Sequence, residues 1–250
     1  MTTKNMTKAE LPENEMPKNE LSARDWSVHP PYFCETYKST VLRSPRQKLI
    51  PIDHTLSETS GPGYGEASIG TLGPDLTKSP VKNGLPLGER IIVGGRVLGE
   101  DGRPVPHTLL EIWQANAAGR YVHEADQHDA PLDPNFLGAG RCVTDADGRY
   151  TFISIKPGAY PWLNHPNAWR PAHIHFSLLG PSFSTRLITQ MFFPRDPLLP
   201  LDPIYNAVPD EEARSRLVCD FSIEFTKPQW ALGYSFDIVL RGKRATPMEI

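Results

Sequence analysis

Proline falls about once in every ten residues of this chain, 26 times in 250, roughly double its usual share of about 5%. It lacks a backbone N–H, and its ring collides with the preceding turn, so helix interiors and central strands exclude it. A chain punctuated this often builds short strands joined by long loops. Residues 91–98 are rich in β-branched side chains and run into the turn dipeptide Asp101-Gly102. Residues 149–155 leave the turn Asp147-Gly148 with polar and apolar residues alternating. Further strands are expected at 109–113, 173–179, 186–193, 221–225 and 234–240, and a helix with an acidic start at 209–217. The expected fold is all-β: a β-sandwich core with long ordered loops and few short helices.

Composition sets the outer limits. Apolar residues at 39% and charged residues at 22% allow a packed core. The net charge is −3, with no basic stripe outside Arg241, Lys243 and Arg244, which argues against nucleic acid as a partner. Cys34, Cys142 and Cys219 are odd in number and far apart, unlike a disulfide framework and suited to a reducing cytoplasm. No apolar run reaches membrane-spanning length and the first 25 residues hold no apolar leader, so a cytoplasmic protein with no membrane partner is expected. Residues 1–25 are polar and read as a flexible N-terminal arm. Residues 26–89 read as a loop-rich extension, with at most a short helix, packing on the core or on a partner subunit. Residues 90–250 form the sandwich.

The sharpest chemical signal is Pro171-Ala172-His173-Ile174-His175-Phe176. On a strand His173 and His175 share one face, with Cα atoms roughly 6.6 Å apart, close enough for two imidazoles to meet one ion. Two histidines on a polar strand face are the plainer alternative. The helical zinc-protease motif fails, because His123-Glu124 is followed by His128 one position too late. Sites pairing histidines with a carboxylate are poorly served, since no Glu occurs between Ala125 and Asp210. Asp196 and Asp202 lie in a Pro-rich loop, and Cys142 is the one nearby thiol. Tyrosine remains. Tyr121 follows Gly119-Arg120, and Tyr160 sits in Gly158-Ala159-Tyr160-Pro161-Trp162, extended by the proline after it. Either could be a loop aromatic packing on the sheet. A phenol, with a pKa of about 10, ligates only where a metal draws off its proton. A hard trivalent ion does so, and two phenolates remove two of its three charges.

Together Gly119-Arg120-Tyr121, Leu132-Asp133-Pro134-Asn135-Phe136, Gly158-Ala159-Tyr160-Pro161-Trp162 and Trp169-Arg170-Pro171-Ala172-His173-Ile174-His175-Phe176 resemble the intradiol ring-cleaving dioxygenases. Within them the likeness is to the iron-bearing β subunits of protocatechuate 3,4-dioxygenases, and it runs from about Tyr37 to Thr246. The resemblance implies one Fe(III) per chain, held by Tyr121, Tyr160, His173 and His175. It implies O2-dependent cleavage of a protocatechuate-type catechol between its hydroxyls. Tyr160 matches the ligand that leaves when substrate binds, and Arg170 the arginine beside the reacting ring. Tyr37, Trp162 and Gln190 match residues that line the substrate pocket. A homologous α subunit in a hetero-oligomer is the implied partner. His29, His54, His107, His123, His128 and His165 match no ligand and are expected at the surface or in loops.

One departure bears on specificity. Leu163 stands where these β subunits commonly carry an arginine near the substrate's anionic group. A lost cation weakens a carboxylate contact, which leaves room for another anionic catechol, such as a 4-sulfonated one. A catechol or hydroxyquinol 1,2-dioxygenase would be expected to carry a helical N-terminal segment, which the Pro- and Gly-rich residues 1–90 do not suggest. A non-enzymatic transthyretin-like sandwich fits the turns around Asp101-Gly102 and Asp147-Gly148, but such modules lack the Tyr/Tyr/His/His set.

Overall fold

The computed structural model describes residues 25–50, 72–78, 84–180 and 183–249. The arm at 1–25 lies outside them apart from Asp25, as do His54 and parts of the 26–89 extension. The described residues form an all-β sandwich. One sheet is built on β1 (Arg90–Leu98), which pairs antiparallel with β4 (Arg149–Ile155) on one side. On its other side β1 runs parallel to β10 (Leu232–Ser235) and β11 (Ile238–Val239), and β9 (Asp220–Phe221) closes the edge. The second sheet has the order β3-β2-β7-β8, from Ala139–Val143, Leu109–Trp113, His173–Gly180 and Phe183–Phe192. A short pair, β5 (Tyr160–Pro161) with β6 (Trp169–Arg170), stands apart.

Strand alternation divides the second sheet into two faces. Leu110, Ile112, Ile174, Phe176 and Leu178 point inward and join Ile91, Val93 and Phe152 of the first sheet in one core. Phe176 sits 5.8 Å from Phe152, centroid to centroid, with the rings edge to face. The opposite face of β7 carries His173, His175 and Ser177, and it too is buried. Part of its cover is a second apolar cluster that includes Val208, Ala213, Leu217, Ala245 and Phe192, whose ring meets His173 at 5.8 Å. The helical pieces of that cover are short, α2 (Pro203–Asn206) and α3 (Glu211–Ser215). Among the described residues of the N-terminal extension the helical elements are α1 (Lys38–Arg43) and 3-10 turns.

Several expectations are corrected. The strand expected at 221–225 stops at Phe221, and the chain turns instead. Thr226 Oγ1 donates to Ser222 O at 2.7 Å, a side-chain bond that competes with a ladder. The strand expected at 234–240 splits at Phe236-Asp237. There Asp237 Oδ1, in place of a backbone carbonyl, accepts the Arg96 N–H at 2.8 Å. The register with β1 nonetheless carries across the break, Gly94 opposite Ser235 and Val97 opposite Ile238. The helix expected at 209–217 is the shorter α3, started by Asp210, whose side chain accepts from Ala213 N–H. His29 and His165 lie in loops, as expected, and are buried there.

Candidate metal centre and substrate pocket

The site grows from the outer face of β7. Period-two geometry sets His173 and His175 side by side, ring centroids 4.8 Å apart. Register fixes their neighbours: His175 lies opposite Trp113 on β2 and Gln190 on β8. The Trp113 indole stacks flat on His175 at 4.8 Å with 6° between planes. That holds the imidazole against rotation out of the site.

Two loops bring the tyrosines over this face. After β2, Asn116 Oδ1 accepts the N–H groups of Ala118 and Arg120, both at 2.9 Å. Asp126 Oδ2 accepts the Tyr121 N–H at 2.8 Å. Gly119 has φ +80°, and a Cβ there would fall 2.2 Å from Ala159 O. Only glycine lets the two tyrosine loops touch so closely. Tyr160 is placed by the β5–β6 pair, directly opposite Arg170. The Tyr121 and Tyr160 rings meet nearly perpendicular at 5.4 Å.

All four expected ligands converge. Tyr121 Oη is 3.2 Å from His175 Nε2, and Tyr160 Oη is 3.4 Å from His173 Nε2. His173 Nδ1 lies 2.7 Å from Pro171 O, a group that only accepts, so Nδ1 carries the proton. His175 Nδ1 faces Glu249 Oε2 at 3.1 Å, with the same result. Both Nε2 atoms thus face the phenol oxygens while the Nδ1 atoms take the outer hydrogen bonds, the arrangement of metal-ligating histidines. Burial, then the Arg170 charge, holds His173 well below its usual pKa, which keeps it neutral. Burial, then Tyr160, pushes the Tyr121 phenol well above its usual value, so a phenolate here requires a cation beside it. Among the described residues no three His, Cys, Asp or Glu side chains gather as a metal site. Two imidazoles and two half-buried phenols fit a hard, highly charged ion and fit a soft one poorly.

Arg170 joins the pieces. Its Nη1 is 3.1 Å from His173 Nε2 and 3.4 Å from Tyr160 Oη, while Nη2 donates to Gln190 Oε1 at 2.7 Å. The charge is answered by Asp202, which Nη2 meets at 2.7 Å and Nε at 3.2 Å. Burial is the largest influence and would push the guanidinium down, but Asp202, Tyr160 and Glu249 together outweigh it and the group stays charged. Asp202 also caps α2, its Oδ1 accepting from Ile204 N–H at 2.8 Å. Trp162 lies against the guanidinium at 5.4 Å, and Tyr37 meets Trp162 edge-on at 5.5 Å. Tyr37 is buried, and α1 behind it is tied down by Asn164. The Asn164 Oδ1 accepts the Ser39 N–H at 3.0 Å, and its amide nitrogen donates to Ser39 Oγ. Leu163, by contrast, is 85% exposed.

Every expected site residue thus falls in one contiguous cluster. Asp202, Glu249, Trp113, Asn116 and Asn164 belong to it as well and were not anticipated. Trp113 alone had a signal, since the strand pairing that stacks it on His175 follows from alternation. Glu249 and Asp202 lie far along the chain in segments without periodicity. A cavity of about 830 Å³ opens elsewhere, lined by Arg96, Asp145, Arg149 and Asp237, and contains none of these residues.

A profile of the family described as Dioxygenase matches residues 59–242. Another, described as protocatechuate 3,4-dioxygenase beta subunit N terminal, matches residues 22–55. The protocatechuate 3,4-dioxygenase beta chain of Burkholderia cepacia is 63% identical over 229 residues, 92% of this chain and 97% of that one. The hydroxyquinol 1,2-dioxygenase of Rhizobium sp. (strain MTP-10005) is 31% identical, and its match spans 69% of this chain but 61% of that one. Among solved structures, 3-chlorocatechol 1,2-dioxygenase from Rhodococcus opacus 1CP aligns with a TM-score of 0.53 at 25% identity, covering 86% of this chain and 79% of that one. A family profile over most of the sequence and a relative matched along nearly its whole length leave one conclusion: this chain belongs to the intradiol ring-cleaving dioxygenases.

Proposed function

We propose that this chain is the iron-bearing β subunit of an enzyme that cleaves protocatechuate (3,4-dihydroxybenzoate) between its hydroxyls with O2, giving 3-carboxy-cis,cis-muconate. The observation that carries the reading is the convergence of Tyr121, Tyr160, His173 and His175, with both imidazole Nε2 atoms facing phenol oxygens. The protocatechuate-named relative at 63% identity supports the substrate class. The four residues would hold Fe(III), one per chain. That ion, when bound, supplies the Lewis acidity that makes a catechol ring reactive toward O2.

The protein's own groups do the rest. Beside the bound cation Tyr160 would be a phenolate, and its Oη, next to Arg170 and His173, would accept one proton from an incoming catechol hydroxyl, the work a carboxylate base does elsewhere. Arg170, held by Asp202, stabilises negative charge that builds on the ring. Trp162 and Gln190 wall the pocket, and Tyr37 stands at the end where the ring's substituent lies. Burial of this face excludes water. A homologous α subunit completes a hetero-oligomer, with residues 1–25 as an arm and 26–89 as an extension that packs on the core or on that subunit. Residues 90–250 are the catalytic sandwich, and the enzyme works in the cytoplasm. Leu163, exposed where an arginine is common, favours a second reading in which the same chemistry acts on a 4-sulfonated catechol.

The visible spectrum tests the proposal. The purified protein should absorb as a tyrosinate–iron complex, wine-red, and the band should shift when protocatechuate is added without oxygen. An iron-replete but colourless protein would overturn the ligand set. An unshifted band with protocatechuate, and a shifted one with 4-sulfocatechol, would transfer the reading to the sulfonated substrate. Tyr160→Phe should keep iron and slow substrate-triggered proton transfer, and wild-type rates there would remove its role.

A further inference from the structure

The two histidines are supported in different ways. His173 Nδ1 meets a neutral backbone carbonyl, Pro171 O, at 2.7 Å. His175 Nδ1 meets a carboxylate, Glu249 Oε2, at 3.1 Å, from a residue 74 positions away in the sequence. The tail that delivers this carboxylate is fastened at every residue before it. Thr246 N–H donates to Val239 O at 2.8 Å, and Thr246 Oγ1 accepts from Val239 N–H at 3.0 Å. Pro247 O accepts from Thr189 Oγ1 at 2.7 Å. Met248 N–H donates to His29 Nδ1 at 3.1 Å, and Glu249 N–H donates to Ile188 O at 2.7 Å. Thr246 and Ala245 are fully buried. These bonds tie residues 246–249 to β8, to β11 and to the N-terminal extension, and so fix where the Glu249 carboxylate stands.

We propose that Glu249 is a positioning residue of the metal centre and that the C-terminal tail is therefore part of the site. The inference rests on the metal reading above. Glu249 holds the imidazole of His175 in its Nδ1–H form, while Trp113 clamps the ring face. The Nε2 lone pair then stays aimed beside Tyr121. The negative charge on the acceptor also draws on the Nδ1–H and strengthens Nε2 as a donor, which a neutral carbonyl does less. Partners of this kind are typically worth about 10- to 100-fold in metal affinity.

The test uses the full chain, purified with iron and then exposed to a chelator. Glu249→Ala removes the acceptor, and Glu249→Gln keeps an acceptor but removes the charge. Iron retained per chain and the position of the tyrosinate–iron band are read for each, with melting of the iron-free proteins alongside. Glu249→Ala should lose iron about 10- to 100-fold more readily, with its band displaced and its iron-free melting close to wild type. Glu249→Gln should recover most of the retention while its band stays displaced. Wild-type retention and an unmoved band in Glu249→Ala would overturn the inference. So would equal iron loss in both variants accompanied by a large drop in iron-free melting, because the tail would then serve stability alone. A wild-type protein that binds iron without any tyrosinate band would instead overturn the metal reading itself, so the two failures are distinguishable.

Discussion

The site has a half carried on strands and a half carried on loops, and they reach precision by different means. His173, His175, Gln190 and Trp113 stand on paired strands, where alternation and register set every neighbour. The hydrogen-bond ladder that fixes them would exist without any site. Tyr121 comes from a loop with no ladder to position it, and Tyr160 from a two-residue pairing, β5 with β6, that stands outside both sheets. Their precision comes from Asn116 and Asp126 binding backbone N–H groups, and from glycine where two loops touch. The strand half is therefore tolerant, because many side chains would leave its backbone where it is. The loop half depends on single residues.

Arg170 spans the halves, so removing it should have the largest effect. Arg170→Leu would leave Asp202 wholly buried and without its partner. Breaking a buried pair on one side costs about 3–5 kcal/mol. The expected result in chemical denaturation is a loss of that size, together with activity falling below detection. A loss under about 1 kcal/mol, the range of surface pairs, would mean that Asp202 is satisfied by its cap on α2 alone.

Gly119→Ala breaks the loop half specifically. A positive φ in a residue with a side chain costs about 1–3 kcal/mol, and the new Cβ also meets Ala159 O. The expected outcome is lower stability together with a weakened tyrosinate–iron band, as Tyr121 and Tyr160 are pushed apart. The matching change in the strand half is Trp113→Leu, which removes the stack on His175. Aromatic pairs contribute about 0.5–1.5 kcal/mol beyond their buried area, and β2 would keep its place in the ladder. The band should persist with only a small shift. If Trp113→Leu bleached the protein while Gly119→Ala did not, the division drawn here would be reversed.

The same division governs what could be read from the sequence. Inward Ile174 and Phe176 and outward His173 and His175 follow from period two alone, so β7 and the histidine pair were legible at once. So were β1, β2 and β4, bounded by Asp-Gly turns or by clear apolar runs. The β5–β6 pair was not, because Tyr160-Pro161 and Trp169-Arg170 are too short for any pattern, yet their pairing puts Tyr160 opposite Arg170. The tyrosines entered through the family resemblance and the exclusion of other ligands, not through geometry. Asp202 and Glu249 were invisible for another reason. A carboxylate that reaches a partner across 32 or 74 residues leaves no local spacing to detect. The absence of Glu between Ala125 and Asp210 led away from carboxylate ligands, but it said nothing about a carboxylate standing behind His175.

The smallest effect should come at the outer edge of the loop half, where the N-terminal extension meets the core. Asn164 binds both Ser39 N–H and Ser39 Oγ, which fixes α1 and the Tyr37 ring that leads into it. Tyr37 in turn packs on Trp162 at 5.5 Å and has the Arg43 guanidinium 4.9 Å from its ring centre. Asn164→Ala removes hydrogen bonds worth about 1 kcal/mol in sum and touches none of the four proposed ligands. Iron content and colour should match wild type. The change should appear in the Michaelis constant for protocatechuate, raised several-fold, because Tyr37 would no longer be held where the ring's substituent lies. Catechol, which has no substituent there, provides the contrast: its kinetic constants should move much less. Equal weakening for both substrates would show that Asn164 supports the whole mouth of the pocket rather than the Tyr37 end of it.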